Sequence, residues 1–296
     1  MTKIITHSGI SHLDDFLSVC LITHKDKSVD EIIRQAELSE YELNNSSIWK
    51  VDIGKTHNSA IKAFDHHQEE MDDCAFSLLL KYWDIWQKVI EVYSWVTSVA
   101  EIDTLGLGKF LEDRRILYEK YFELESFIES TFVELFQKVK VVSKKKNKLL
   151  FVIMRMIGKR FFEGIETYQR LERNFESQLN VITISKEGVE EDPSKGILVL
   201  IYLTQKPEYC SHLFRIFHKY KKKLFPNYRG SWVIAFSYDR PENSIQLKRY
   251  GGTSQINLSK TRSMEKTHFA HEKGFVATVE SMSEEELYTY IQHALL

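Results

Sequence analysis

Short β-type runs early in the chain each stop at a titratable residue, and this confines the fold more than any other feature. Lys3-Ile4-Ile5-Thr6 stops at His7, Ile48-Trp49-Lys50-Val51-Asp52-Ile53-Gly54 ends in an acid and a glycine, and Ile61 to Phe64 leads into Asp65-His66-His67-Gln68. A further run, Asp30 to Ala36, reads as a strand between them. The intervening segments carry helical spacing, with apolar positions at Leu13, Phe16, Leu17, Cys20 and Leu21 in the first of them. Strands separated by helices imply a parallel sheet with crossovers. Such sheets build their sites outside the carboxyl ends of the strands, where these polar residues fall.

The chemistry of those residues narrows the reading. His7, His12 and Asp14 are brought to one strand tip by a strand, the polar turn Ser8-Gly9-Ile10-Ser11 and a helix. The acid pair Asp14-Asp15 suits the positive end of that helix, and Asp15 reads as a helix-end charge in preference to a group that supports a metal ligand. The triplet Asp65-His66-His67 offers imidazole and carboxylate, a set that suits a divalent metal such as manganese. Alone, it reads equally as a surface loop. Adjacent side chains of a strand face opposite ways, so His66 is expected on the metal and His67 on another task, such as a substrate phosphate. With Asp52 and Asp103 added, His7, His12, Asp14, Asp52, His66 and Asp103 form a nitrogen and oxygen donor set large enough for two ions. Asp52, on a central strand tip, is the expected bridge, and Asp65 is expected to orient a histidine. Paired ions of this kind serve phosphoester or phosphoanhydride hydrolysis.

Composition sets the remaining bounds. A chain of 296 residues with 43% hydrophobic content accommodates two domains with cores. From Cys74 to Leu179 the pattern is helical, and after residue 180 strand-like runs return. The expected organisation is therefore an α/β parallel-sheet domain with a helical connector over 1–179 and a smaller α+β domain over 180–296. The net charge of −2 argues against a general polyanion coat, so a nucleic acid would have to be met by a local patch. The lysines at 144–148 read as a solvated turn. Cys20, Cys74 and Cys210 make neither metal spacing nor a paired framework, which fits a reducing, cytoplasmic setting. No signal peptide or membrane span is legible.

Taken in order, His7-Ser8-Gly9-Ile10-Ser11-His12-Leu13-Asp14-Asp15, Val51-Asp52-Ile53-Gly54, Phe64-Asp65-His66-His67-Gln68 and Glu101-Ile102-Asp103 resemble the motifs of the DHH phosphoesterase superfamily. The likeness is closest to its melanocyte-proliferating-gene exonuclease branch, where a histidine such as His12 replaces an aspartate in the first motif. Phe269-Ala270-His271-Glu272-Lys273-Gly274-Phe275 looks like a segment of the same branch, although Val276-Ala277-Thr278 stands where that branch usually has a Gly-Gly pair. The resemblance implies a DHH-type phosphoesterase domain followed by a substrate-binding domain, two manganese ions (magnesium being the other candidate) and 3′→5′ exonuclease action on RNA or single-stranded DNA. It implies metal ligation by His7, His12, Asp14, Asp52, His66 and Asp103, catalytic roles for Asp52, Asp65 and His67, and substrate contacts from His67 and His271; Arg262 is expected to contact substrate as one of the basic residues Lys248, Arg249, Lys260 and Arg262 after residue 180. Two other readings stay open: hydrolysis of a small substrate (an oligonucleotide, cyclic dinucleotide or pyrophosphate), and a non-catalytic nucleotide sensor or partner-binding subunit. Protein partners and homo-oligomerisation are left open by the sequence.

Overall fold

The structure, a computed structural model, describes residues 2–68, 71–117, 127–205, 207, 211–252 and 255–296. The chain divides into two compact units, Met1–Glu166 and Thr167–Leu296. Among the described residues, no helix is long and apolar enough to cross a membrane.

The first unit is an α/β layer. Its sheet contains β1 (Thr2–His7), β2 (Val29–Gln35), β3 (Ile48–Val51), β4 (Ala63–Phe64) and β5 (Val141–Ser143), in the order β4-β3-β1-β2-β5. The first four strands pair in parallel and β5 joins the edge antiparallel to β2. Helix α1 (Leu13–Lys25) is the β1–β2 crossover, and the short α2 (Glu40–Asn44) precedes β3. Then come α3 (Ala75–Tyr82), α4 (Trp86–Val92), α5 (Val96–Leu105), α6 (Leu107–Arg114) and α7 (Phe127–Gln137). The long α8 (Lys148–Gln178) contains the division between the units.

The apolar spacing of α1 is spent on its core face: Phe16, Val19, Cys20, Leu21 and Ile22 are all buried. Cys74 is buried too, while Cys210 lies outside the described residues. Gly158 lets α8 approach α1. A Cβ built at that position would collide with the Cys20 carbonyl oxygen and stand 2.8 Å from the His24 Cβ. Gly158→Ala gains about 1 kcal/mol of helix propensity, but a clash with fixed backbone costs about 1–3 kcal/mol and should win. A lower denaturant midpoint is the expected result, and an equal or higher one would mean that the helices separate freely.

The second unit carries a seven-stranded sheet in the order β11-β12-β10-β9-β8-β6-β7. Its strands are β6 (Asn180–Ile184), β7 (Val189–Glu190), β8 (Ile197–Tyr202), β9 (Trp232–Tyr238), β10 (Ser244–Tyr250), β11 (Thr267–Ala270) and β12 (Val276–Glu280). Among these strands only β8 and β9 pair in parallel, because α9 (Ser211–Leu224) connects them as a crossover. Helix α10 (Glu284–His293) starts after the Ser283 cap, whose side-chain oxygen accepts the Glu286 amide.

Candidate metal centre

Strand register sets the first residues of the site side by side. Thr6 aligns with Val51 and Val51 with Phe64, so Asp52 and Asp65, one residue past β3 and β4, stand level with His7, the last residue of β1. The Asp52 amide still donates to the Phe64 carbonyl at 2.8 Å, but its φ of 52° turns the chain out of the strand. A short polar side chain tolerates this left-handed backbone better than a β-branched one. The Asp52 carboxylate lies 3.3 Å from His7 Nε2, 3.5 Å from His66 Nε2 and 3.4 Å from His67 Nδ1.

The β1–α1 loop and α5 complete the cluster. The Gly9 carbonyl accepts from Arg34 Nη2 at 3.3 Å, and the Ser11 amide donates to Gln137 at 3.3 Å, which fixes the loop from two sides. His12 caps α1, placing Asp14 and Asp15 in its first turn. Asp103, near the end of α5, lies 3.4 Å from His12 Nδ1 and 3.0 Å from His66 Nε2. His12, Asp14 and Asp103 have ligand atoms within 4.8 Å of one another, and so do Asp52, His66 and His67. The His66–Asp103 contact joins the groups, and His7 enters through Asp52. All six residues expected as ligands therefore meet in one cluster.

The buried donors fit divalent ions. Asp14 is 1% exposed and neither carboxylate oxygen has a protein partner; Asp52 Oδ1, Asp103 Oδ2 and His7 Nε2 are likewise buried without a hydrogen bond. Leaving such groups unsatisfied is costly, and a mixed imidazole and carboxylate set suits ions of the manganese, magnesium or zinc type.

The imidazoles answer the carboxylates' charge by holding protons. Asp15, opposed by burial and helped by Asp52, raises His7 to about 9. Asp103 and Asp52 push His66 to about 10, and Asp103 also raises His12. Asp14 is held well above the usual carboxylate range, first by burial and then by Asp52, Asp103 and Asp15. Burial would raise Asp103 as well, but His12 and His66 outweigh it and hold the group down.

Two readings of individual residues change. His66 and His67 do not alternate across a strand, because β4 ends at Phe64 and both follow in a turn; their ring centroids are 4.3 Å apart and both reach Asp52. Asp15 is more than a helix-end charge: from the first turn of α1 it supports His7 and His12. It is fully buried, accepts from the His12 amide at 2.9 Å and Ser11 Oγ at 2.8 Å, and lies 3.4 Å from His7 Nε2. The recognisable signal was its place three residues after the helix-capping position. Asp65 does hold a histidine: it accepts from the His67 amide at 3.0 Å and lies 2.7 Å from His67 Nδ1. Glu101 lies outside this network and takes the Arg114 guanidinium at 3.1 Å.

His271 and Arg262 belong to the second unit. The His271 ring lies 4.2 Å from that of Phe275, its Nδ1 accepts the Lys273 amide, and Arg262 donates to the Ala270 carbonyl at 2.9 Å.

The donor cluster stands on the carboxyl edge of a mostly parallel sheet. Residues 3–79 match the family model MYG1_exonuc, described as an uncharacterised protein family (UPF0160). That span carries the cluster from His7 to His67, while Asp103 lies beyond it. Similar solved structures include the DHH domain of a protein described as a member of a family of ribosomal proteins, at 11% identity over 99% of this chain and 86% of that one, TM-score 0.33. RecJ from Thermus thermophilus is similar in complexes with Mn2+ and with Mg2+, each at 12% identity and TM-score 0.30 over 99% of this chain and 51% or 49% of the other. This chain thus spans about half the length of those RecJ chains. No curated protein matches.

Proposed function

We propose that the chain is a manganese-dependent phosphodiesterase that shortens RNA or single-stranded DNA from an end. The observation that carries this reading is the pair of ligand groups His12, Asp14, Asp103 and Asp52, His66, His67, joined by the His66–Asp103 contact, with both buried carboxylate oxygens of Asp14 lacking a hydrogen bond. His7, His12, Asp14, Asp52, His66 and Asp103 would hold two ions, with Asp52 shared. Ions bound there supply an acidified water and neutralise charge on the phosphate oxygens.

The chain's own groups do the rest. Asp15 and the fixed loop hold His7 and His12 in place. Asp65 orients His67, whose side chain is 55% exposed and open to a phosphate. Residues 1–179 would carry the metal chemistry and 180–296 the substrate contacts, His271 and Arg262 among them. The complete donor set opposes a purely sensing role, since such a role has no use for it. His67→Ala should lower turnover by about a hundredfold, the low end for losing one donor to developing charge, while metal content stays near that of the wild type. Loss of metal in that variant would make His67 a ligand, in line with its place beside Asp52.

The substrate class is tested by salt. A polymer touching several phosphates binds with a logarithmic salt slope of about −0.7 per phosphate for single strands. A small substrate touching mainly the metal site has a shallow slope. The expected result with manganese is a steep rise of KM with salt on single-stranded RNA and a flat one on a dinucleotide. A flat RNA response with faster dinucleotide turnover would replace the exonuclease reading by the small-substrate one, which the Val276-Ala277-Thr278 start of β12 favours.

A further inference from the structure

The metal cluster occupies the carboxyl edge of the first unit's sheet, yet the opposite edge is also built as a site. There the strands begin, and a cavity of about 640 Å3 is lined by Lys3, Tyr41, Asn45, Lys144 and Lys145, with Asp30 and Glu31 on its wall. A second cavity of about 530 Å3 shares Tyr41 and Asn45 with the first and is otherwise lined by Glu40 and Asn44. The two adjoin at Tyr41 and Asn45, which line both and form a trough, and the Tyr41 side chain is exposed, at 74%.

Both walls are fixed. On one side Lys50, fully buried, donates its amine to the carbonyls of Asn45 and Ile48 at 3.0 Å and also to that of Ile61, while the Asn45 side chain donates to Tyr41 Oη at 3.0 Å. On the other side the lysine turn is ordered. Ser143 Oγ accepts the amides of Lys145 and Lys146 at 3.2 and 2.9 Å, and the Ser143 amide donates to the Lys146 carbonyl at 2.7 Å. Lys3 and Lys144 are spent on Glu42 and Asp30. Lys145, Lys146 and Lys148 are exposed and make no ion pair among the described residues.

We infer that this trough binds a stretch of single-stranded nucleic acid away from the point of hydrolysis, with Tyr41 stacking a base and Lys145 and Lys146 holding phosphates. An exposed aromatic ring beside lysines without ion-pair partners among the described residues, Lys145 in the lining and Lys146 next to it in the turn, is the kind of pairing that binds single strands with little sequence preference. Two compartments separated by one exposed ring suit a ligand with repeating units better than a compact one. The inference rests on the polynucleotide reading above. It adds that a long substrate is anchored at the sheet edge remote from the metals, so affinity should grow with length although chemistry occurs only at the end.

Binding measured without hydrolysis separates the two ideas. Fluorescence anisotropy with a labelled single-stranded RNA of about twenty nucleotides, in EDTA, is run on the full chain, on Tyr41→Ala and on the double variant Lys145→Glu with Lys146→Glu. Each changed side chain is exposed, and circular dichroism checks the fold. Tyr41→Ala should weaken binding about tenfold, as for loss of one stacked base. The lysine variant should weaken it at least as much and flatten the logarithmic salt slope by about 1.4, for two lost phosphate contacts. Hydrolysis of a dinucleotide should be the same in all three proteins. RNA affinity and salt slope equal to wild type in both variants would overturn the inference. Failure of every protein to hydrolyse a dinucleotide or RNA would count against the proposed activity and leave this binding result standing.

Discussion

Turnover falls by about a hundredfold or more when Asp52 is replaced by Asn, a barrier increase of about 2.7 kcal/mol. The amide keeps the size of the carboxylate and tolerates the backbone φ of 52°, so the fold should survive. What changes is charge. Among the described residues, Asp52 is the one carboxylate in contact with His7, His66 and His67 together, and an amide cannot bridge two cations as a carboxylate does. His66→Ala should also cost about a hundredfold, but less than the Asp52 change, because the single Nε2 lone pair can serve one ion only, whereas a carboxylate can serve two. The check is kcat at saturating manganese with metal content measured on the same samples. An Asp52→Asn enzyme within about threefold of wild type would remove Asp52 from the centre of the mechanism.

Metal affinity should climb steeply with pH. His7 titrates at about 9 and His66 at about 10, so at neutral pH both imidazoles hold protons that a metal must displace. With two protons released, the apparent association constant falls up to about a hundredfold for each pH unit below 9. The stability of the metal-free chain has the opposite sign. Histidines raised above their unfolded value of 6.5 stabilise fully below it, and that contribution is lost as pH rises through about 9 to 10. Asp14, also raised, acts in the same direction. The metal-free protein should therefore melt lower at pH 9 than at pH 6, while added manganese protects more at pH 9. Calorimetric titration in buffers of different ionisation enthalpy counts the released protons. An affinity unchanged between pH 6 and 9 would show that the metal displaces no proton from these histidines.

Much of the first unit was legible because its residues act locally. β-type runs, helical spacing and a polar residue at the strand end are statements about neighbours in the chain, and they placed His7, Asp52 and the Asp65-His66-His67 triplet at one sheet edge. The helical run that leads to Asp103 was legible too, yet its spacing could not say which of its residues enters the cluster. In the second unit, the return of strand-like runs after residue 180 was legible. The strands β11 and β12 were not, since Phe269 to Phe275 holds a turn between them and its polar residues mask the alternation. The three-residue β5 was hidden by the lysines beside it, and it owes its strand conformation to pairing with β2.

The sequence by itself determined the donor types, the strand tips that carry them and the α/β layering, because hydrophobic period and side-chain chemistry are properties of the chain. Only the tertiary structure decided which donors share a partner. It set Asp103 against both His12 and His66, buried Asp15 beneath His7, and turned His66 and His67 to the same carboxylate. Those choices depend on how α1 and α5 are placed against the sheet and on where β4 stops, and no local pattern encodes either.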